Sequence, residues 1–208
     1  MPAINERRKN FHIKKGESLF KEGQPVTGMY FIYSGKVKVH KKWGDDKELI
    51  VRLAGNGDIV GHRGLGGDTF YPVSATALEP VTVCFIDLNF FETTLKVNHD
   101  FLYKLMLFYA KELKESENNM RNLVHMPVKN RVAHILLQLQ KKFGKTSGGF
   151  IDILLSKQDI TSCVGAAYET VFRVLKELKD EEVLDEDGKQ IKIKNEKKLI
   201  EIINGVIS

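Results

Sequence analysis

Hydrophobic and polar positions alternate in short runs over residues 12–87. Val37 and Val39 alternate with Lys36 and Lys38, which is typical of a strand with one buried side and one solvated side. Glycine-rich turn sequences separate the runs. The pattern therefore predicts an all-β barrel or roll, with strands at residues 30–33, 36–40, 49–53, 76–77 and 81–86.

Between residues 100 and 125 the pattern becomes helical. Its apolar positions recur in alternating steps of four and three, which is typical of a coiled-coil seam. Pairing with a second copy buries such a seam directly, so we predict a parallel homodimer rather than a helix that packs only within its own monomer. The seam consists of Leu102, Met106, Tyr109, Leu113, Ser116, Met120 and Leu123, of which only Ser116 is polar.

The C-terminal part begins after Pro127, which ends one helix or opens the next. The pattern predicts a helix at 128–143, a glycine-rich loop at 144–149, a short strand at 150–154, and a strand–turn–strand wing over 182–195. The tail, 199–203, is expected to close this domain. Lysines on or beside the wing fit phosphate contacts and equally fit a solvated strand face: Lys189, Lys192 and Lys194.

Residues 155–178 have the pattern of two short helices joined by a tight turn. Ser156 and Asp159 form a capping box that opens a helix at Lys157, and Gly165 supplies the left-handed position that ends it. A second helix is expected to begin near Tyr168. Its apolar face carries Val171, Leu175 and Leu178, and its other face carries Tyr168, Glu169, Phe172, Arg173 and Lys176.

The polar face of the second helix suits a helix that lies in the major groove of DNA. Arg173 can donate two hydrogen bonds to guanine, and Glu169 can accept one from cytosine. Periodicity alone fits an ordinary amphipathic helix pair equally well.

The order of residues in this region closely resembles the helix-turn-helix of the CRP/FNR family of bacterial transcription regulators. The similarity lies in Gln158-Asp159-Ile160, Gly165, Glu169-Thr170-Val171 and Arg173. It implies that Glu169 and Arg173 read bases, while Tyr168 and Phe172 set the preferred sequence. Two residues depart from the family pattern: Ala167 replaces a capping Ser or Thr, and Phe172 replaces a small residue. The expected DNA-contacting set is Ser156, Lys157, Gln158, Tyr168, Glu169, Thr170, Phe172, Arg173 and Lys176.

The N-terminal half is similar to the cyclic-nucleotide-binding β-roll of the same family, over residues 14–40, 57–65 and 71–80. In members that bind cyclic AMP, a Glu stands at the position of His62 and an Arg at that of Val73. Because neither residue is present, we predict that cyclic AMP does not bind in the usual manner. The resemblance places the effector pocket at Gly61, His62, Arg63, Tyr71, Val73, Ser74 and Ala75.

Three interpretations of His62 stay open. It is a hydrogen-bonded loop histidine, a haem ligand as in gas-sensing members, or a contact to an anionic or aromatic metabolite with Arg63 as the counter-charge. Iron–sulfur members need N-terminal cysteines as well as one in the roll. Cys84 matches the roll position, but residues 1–16 contain no cysteine, so we expect no iron–sulfur cluster.

The amino-acid composition restricts the possible functions and the expected location. The chain has 208 residues, 42% hydrophobic content and a net charge of +5, which permits nucleic-acid binding without requiring it. Two cysteines, Cys84 and Cys163, do not suggest a disulfide framework or a zinc site. The sequence contains no run that resembles a membrane span or signal peptide, so a cytoplasmic location is expected.

Together these patterns predict an α+β protein with a β-roll (a double-stranded β-helix) at 1–97, a dimerisation helix at 98–126 and a winged helix-turn-helix at 127–208. The expected function is a dimeric regulator of near-palindromic double-stranded DNA, with an unidentified effector, RNA polymerase as a partner and no enzymatic activity. The alternatives are a haem-based gas sensor of the same family, a sensor that acts only through protein partners, and a cupin-type metal enzyme. The last is disfavoured because His12, His40 and His62 stand singly.

Overall fold

The structure, a computed structural model, describes residues 8–44, 47–66 and 69–205. Contacts divide the chain into two compact units, one ending at Ser116 and the other beginning at Glu117. Over the described residues the first unit contains eight strands: β1 (Arg8–Ile13), β2 (Ser18–Phe20), β3 (Gly28–Ser34), β4 (Val37–Trp43), β5 (Lys47–Ala54), β6 (Ile59–Val60), β7 (Ser74–Ala77) and β8 (Val81–Asp87).

The eight strands form two antiparallel sheets, in the orders β1-β8-β3-β6 and β2-β7-β4-β5. The predicted β-roll is confirmed. Four of its five predicted strands are present with longer bounds, and the fifth, predicted at 36–40, begins one residue later and extends to Trp43. Val37 and Val39 are buried between the sheets, as their alternation indicated. Strands β1, β2 and β6 were not predicted. The side chains of β1 are mostly exposed and β6 has two residues, so neither gives an alternating signal.

Two helices follow the roll, α1 (Leu88–Val97) and α2 (His99–His125). The sequence did not predict α1, which Asp87 caps by accepting hydrogen bonds from the amides of Asn89 and Phe90. In the first unit, Phe91 of α1 and Leu105 of α2 pack with Met29 and Ile59 to form a second core. The roll is thereby joined to the N-terminal part of α2.

The second unit consists of the end of α2, four further helices and a hairpin. These are α3 (Val128–Phe143), α4 (Lys157–Val164), α5 (Tyr168–Asp180), β9 (Leu184–Asp187), β10 (Gln190–Ile193) and α6 (Glu196–Ile203). Helix α3 packs against α4, α5 and α6 around buried aliphatic side chains. In the described part of the chain, no helix is both long and apolar enough to cross a membrane.

The strand predicted at residues 150–154 is wrong. Ile151, Ile153 and Leu155 are buried as the alternation indicated. However, the segment forms only an isolated bridge between Lys145 and Ile151, and the Ile151 amide donates to the Ile191 carbonyl at 2.8 Å. Alternating burial therefore arose here without a continuous strand partner.

Candidate DNA interface and effector pocket

Helices α4 and α5 form the predicted helix-turn-helix. The Ser156 hydroxyl accepts from the Asp159 amide and the Asp159 carboxylate accepts from the Ser156 amide, both at 3.0 Å, so the capping box is present. Gly165 ends α4 in the left-handed conformation with φ 65°. Helix α5 begins at Tyr168, and its N-cap, Ala167, forms no side-chain hydrogen bond, as expected for a residue without an acceptor.

The two faces of α5 are separated as predicted. Val171, Leu175 and Leu178 are buried, together with Val174. The opposite face carries the exposed side chains Tyr168, Glu169, Phe172, Arg173 and Lys176.

Lys157, the first residue of α4, contacts both α5 and the wing. Its ammonium is 4.4 Å from the centroid of the Phe172 ring and 3.4 Å from Glu186 Oε2 in β9. Phe172 in turn stacks on Tyr168, with ring centroids 6.3 Å apart and planes inclined by 15°. These contacts join α4, α5 and β9 around an exposed aromatic pair.

The other residues predicted to contact DNA differ in accessibility. Gln158 is exposed, whereas Ser156 and Thr170 are half-buried. On the wing, the Lys192 ammonium donates to the Gly148 carbonyl at 3.1 Å and Lys194 pairs with Glu182 at 3.6 Å. Of the three wing lysines, Lys192 and Lys194 therefore have intramolecular partners in this structure.

Arg131 of α3 is a feature that the sequence patterns did not indicate. Its guanidinium donates to the carbonyls of Leu123 and Met126, at 2.8 and 3.0 Å, and to that of Gly165, at 3.4 Å. It thereby satisfies carbonyls at the end of α2 and at the turn of the helix-turn-helix.

The predicted effector pocket is divided between core and loop. Tyr71, Val73 and Ala75 belong to the hydrophobic core of the roll. Ser74 Oγ accepts a hydrogen bond from the Glu22 amide at 2.9 Å. Gly61 has φ 93° and precedes a 3-10 turn over His62–Gly64, which places His62 and Arg63 against α2.

The structure brings His62 and Arg63 together with two residues that the sequence patterns did not single out, Arg52 and Glu112. Arg52 Nε lies 3.1 Å from Glu112 Oε1, and Arg63 Nη2 lies 3.3 Å from Glu112 Oε2. His62 Nε2 is 3.7 Å from the same Oε2, an electrostatic contact longer than a hydrogen bond. One signal was present in the sequence: Phe101, Leu105, Phe108 and Glu112 form a helical stripe, in which the carboxylate is the only polar member.

Protonation in this cluster follows from burial and from the neighbouring charges. Burial opposes ionisation of Glu112, but the His62 contact and the charges of Arg52 and Arg63 outweigh it and lower the pKa to about 2. Burial lowers the pKa of His62. The positive charges of Arg52 and Arg63 lower this pKa further, whereas the contact with Glu112 raises it. Near neutral pH the cluster therefore contains an ionised carboxylate and a neutral imidazole.

His62 does not fit a haem ligand in this arrangement. It is 2% exposed, and the rings of Phe108 and Tyr109 meet it edge to face at 4.9 and 5.6 Å. Nε2 faces Glu112, so the space that a porphyrin plane requires next to the ring is filled by α2. Within residues 8–44, 47–66 and 69–205, no group of three or more His, Cys, Asp or Glu side chains is arranged to hold a metal ion.

The predicted seam of α2 is largely uncovered in the single chain. Tyr109 differs from the other members, because its ring packs on the roll and its hydroxyl donates to the His62 carbonyl. The remaining seam residues are exposed: Leu102, Met106, Leu113, Ser116, Met120 and Leu123.

Comparison with known proteins agrees with this architecture. A family model described as a cyclic nucleotide-binding domain matches residues 10–98, and one described as a Crp-like helix-turn-helix domain matches residues 130–202. The cAMP-activated global transcriptional regulator CRP of Escherichia coli O6:H1 is 33% identical over 198 residues, which cover 91% of this chain and 93% of that relative. The anaerobic regulatory protein of Bacillus subtilis is 31% identical over 196 residues, which cover 92% and 81%.

The solved structure of FixK2 from Bradyrhizobium japonicum is also similar. It gives a TM-score of 0.84 at 25% sequence identity and covers 94% of this chain and 96% of that one. The sequence identities, the two family models and the shared architecture lead to one conclusion: the chain belongs to the CRP/FNR family of transcription regulators.

Proposed function

We propose that this protein is a homodimeric regulator that binds near-palindromic double-stranded DNA through α4 and α5 and responds to an effector in its β-roll. The half-sites lie about one helical turn apart, as for other dimers that present two recognition helices. RNA polymerase is the expected partner on the promoter. The effector is not cyclic AMP bound in the usual manner.

The exposed face of α5 carries this proposal. Glu169 and Arg173 are one turn apart on it, next to the aromatic pair Tyr168 and Phe172, while the opposite face is buried in the core of the second unit. An arginine and a glutamate on an exposed helical face supply a donor pair for guanine and an acceptor for cytosine.

The exposed seam of α2 supports the homodimer. Leu113 is 62% exposed, and Leu102, Met106 and Met120 are exposed at coiled-coil spacing on the same helix. A second copy of α2 would cover them with residues of the same kind.

Regulation would follow from a difference in affinity. An effector in the roll shifts the regulator only if it binds one arrangement of the dimer helices better than another. The relative from Escherichia coli is described as cAMP-activated. In this chain His62 is buried against α2 and Val73 lies in the core, at the two positions where a ribose-binding Glu and a phosphate-binding Arg would be needed.

Selection of bound duplexes from a random DNA pool tests the proposal. We expect the purified protein to enrich an inverted repeat with half-sites about 10 base pairs apart, at a fixed salt concentration because non-specific binding depends steeply on salt. Arg173→Ala should weaken binding by about 1 to 3 kcal/mol and relax the preference at one position of each half-site. Lys141→Ala removes the same charge from α3 and should leave the preferred sequence unchanged.

Two results would contradict the proposal or part of it. A uniform loss of affinity for all sequences in Arg173→Ala would make Arg173 a phosphate contact. An unenriched pool from folded wild-type protein, with and without an added protein-free extract of small metabolites, would oppose sequence-specific binding and favour a sensor that acts through protein partners.

A further inference from the structure

We propose that Arg52, His62 and Arg63 form an oxyanion-binding site in which Glu112 acts as an internal ligand, and that the effector is a small oxyanion that displaces it. The side chains that form this site come from β5, the 3-10 turn and α2, all within the first unit. The inference that anion binding at this site regulates DNA recognition rests on the proposed function. The inference that the site binds an anion does not rest on it.

Arg52 is held in place independently of Glu112. Arg52 donates from Nη1 to the Ile59 carbonyl at 2.7 Å and from Nη2 to Asp58 Oδ1 at 2.9 Å, and Asp58 also accepts from the Gly55 amide at 2.8 Å. These bonds leave the Nε edge of Arg52 directed at Glu112. The guanidinium is therefore held in place before any anion binds, which lowers the cost of binding one.

Glu112 does not provide a hydrogen-bond partner for every buried nitrogen atom of the site. Neither ring nitrogen of His62 forms a hydrogen bond in the described part of the chain, although the side chain is buried. The buried Nε of Arg63 is likewise unsatisfied among the residues that the structure describes. A neutral imidazole has one N–H donor. Because buried polar atoms normally have partners, that donor and Arg63 Nε indicate a ligand with acceptors that the tethered carboxylate does not provide.

The guanidinium charges of the site also favour an anion at this position. Glu112 pairs with two guanidiniums, those of Arg52 and Arg63, and Asp58 pairs with Arg52. When Glu112 leaves, Arg63 loses the carboxylate with which it pairs among the described residues, and an oxyanion replaces it. Arg63 is the most accessible of the three groups that bind Glu112, since its side chain is 29% exposed, so an anion would enter from its side.

Displacement of Glu112 would release a contact between α2 and the roll. Phe108 and Tyr109 cover the same site, and the Arg52 guanidinium lies 5.5 Å from the centroid of Phe108. Because Glu112 is tethered, its effective concentration is high, and a free anion must compete with it. The wild-type protein should therefore bind anions more weakly than a variant that lacks the carboxylate.

Chemical rescue of full-length Glu112→Ala tests this inference. Thermal unfolding is followed in sodium acetate and, at equal ionic strength, in sodium chloride, with acetamide as the uncharged control. Acetate at saturating concentration should raise the midpoint of Glu112→Ala by about 3 °C or more above its value in chloride, with a smaller rise in wild type. If the variant is unfolded in chloride, acetate-dependent recovery of its helical circular dichroism gives the same information.

Inorganic phosphate in place of acetate distinguishes the two classes of oxyanion. Rescue by phosphate alone would assign the site to phosphate-bearing effectors, and rescue by acetate to carboxylates. The double variant Glu112→Ala/Arg63→Met should lose the rescue. Equal midpoints of Glu112→Ala in acetate, phosphate and chloride would overturn the proposal. The measurement contains no DNA, so its failure is separate from a failure of the DNA selection.

Discussion

The Nε atom of Arg52 lies 3.1 Å from Oε1 of Glu112, and this ion pair joins strand β5 of the roll to helix α2. Both side chains are largely buried, at 9% and 12% exposure. A pair in such surroundings contributes when it is intact and is costly when one partner is removed, because the other charge is left without compensation. The stability of the first unit should therefore depend on the ionisation of Glu112.

The first prediction concerns pH. The pKa of Glu112 is lowered from its ordinary value of 4.5 to about 2, so its ionised form stabilises the fold above the unfolded-state pKa. That stabilisation, about 3 kcal/mol near neutral pH, should be lost as the pH falls from about 4.5 to about 2. Urea denaturation of wild type and Glu112→Gln should show a large difference near pH 7 that shrinks over this range.

A surface glutamate on the same helix provides the control for this pH dependence. Glu115 is exposed and pairs with Lys111 at 3.8 Å, a contact of little expected energy. Glu115→Gln should therefore unfold like wild type at every pH. A difference between wild type and Glu112→Gln that stays constant down to the lowest pH would contradict ionisation of Glu112 as its source.

The second prediction concerns the capping box of α4. Ser156→Ala removes the acceptor of the Asp159 amide and should lower the free energy of unfolding by about 1 kcal/mol. Ser156→Thr retains the hydroxyl and should cost much less. Equilibrium denaturation of both variants measures the difference, and equal stabilities would show that the hydroxyl contributes nothing.

The third prediction concerns the seam of α2. Leu113→Glu places a charge at the proposed centre of the dimer and should yield a monomer by light scattering. Leu107→Glu introduces the same charge on the same helix at an exposed position outside the seam, and this variant should remain dimeric. A dimeric Leu113→Glu protein would place the dimer interface elsewhere.

The fourth prediction concerns the aromatic pair on α5. Phe172 is 43% exposed and its ring contacts are at the surface, so Phe172→Leu should change the stability by no more than about 1 kcal/mol. It removes the ring that stacks on Tyr168 and covers the Lys157 ammonium. The selected DNA should change at one position of each half-site, by about 1 to 3 kcal/mol as for a mismatched base pair. An unchanged preference would exclude Phe172 from base recognition.

The fifth prediction concerns cyclic AMP. Direct calorimetric titration should show no micromolar binding, because Val73 is a core residue where a phosphate partner is needed. Glu112→Ala, titrated in parallel, tests whether the internal carboxylate alone excludes the nucleotide. Micromolar affinity of the wild-type protein would overturn this prediction.

The helix-turn-helix was predicted closely from the sequence because its signals are local. A capping box, a left-handed glycine and an amphipathic repeat each depend on residues a few positions apart, so Ser156, Gly165 and the faces of α5 were predictable. The strand expected at 150–154 failed for the opposite reason. Its alternation was real, but a strand also requires a neighbour along its length, which only distant residues can supply.

The sequence by itself determined the order of the roll, the long helix and the helix-turn-helix, the exposed polar face of α5 and the absence of the family's usual cyclic AMP partners at His62 and Val73. Only the tertiary structure decided what takes their place. Arg52, His62 and Glu112 are up to 60 residues apart, and their charges interact because the folding of the roll against α2 removes them from water together. A local sequence pattern cannot predict such contacts, because Coulomb attraction depends on distance and burial in space rather than on separation along the chain.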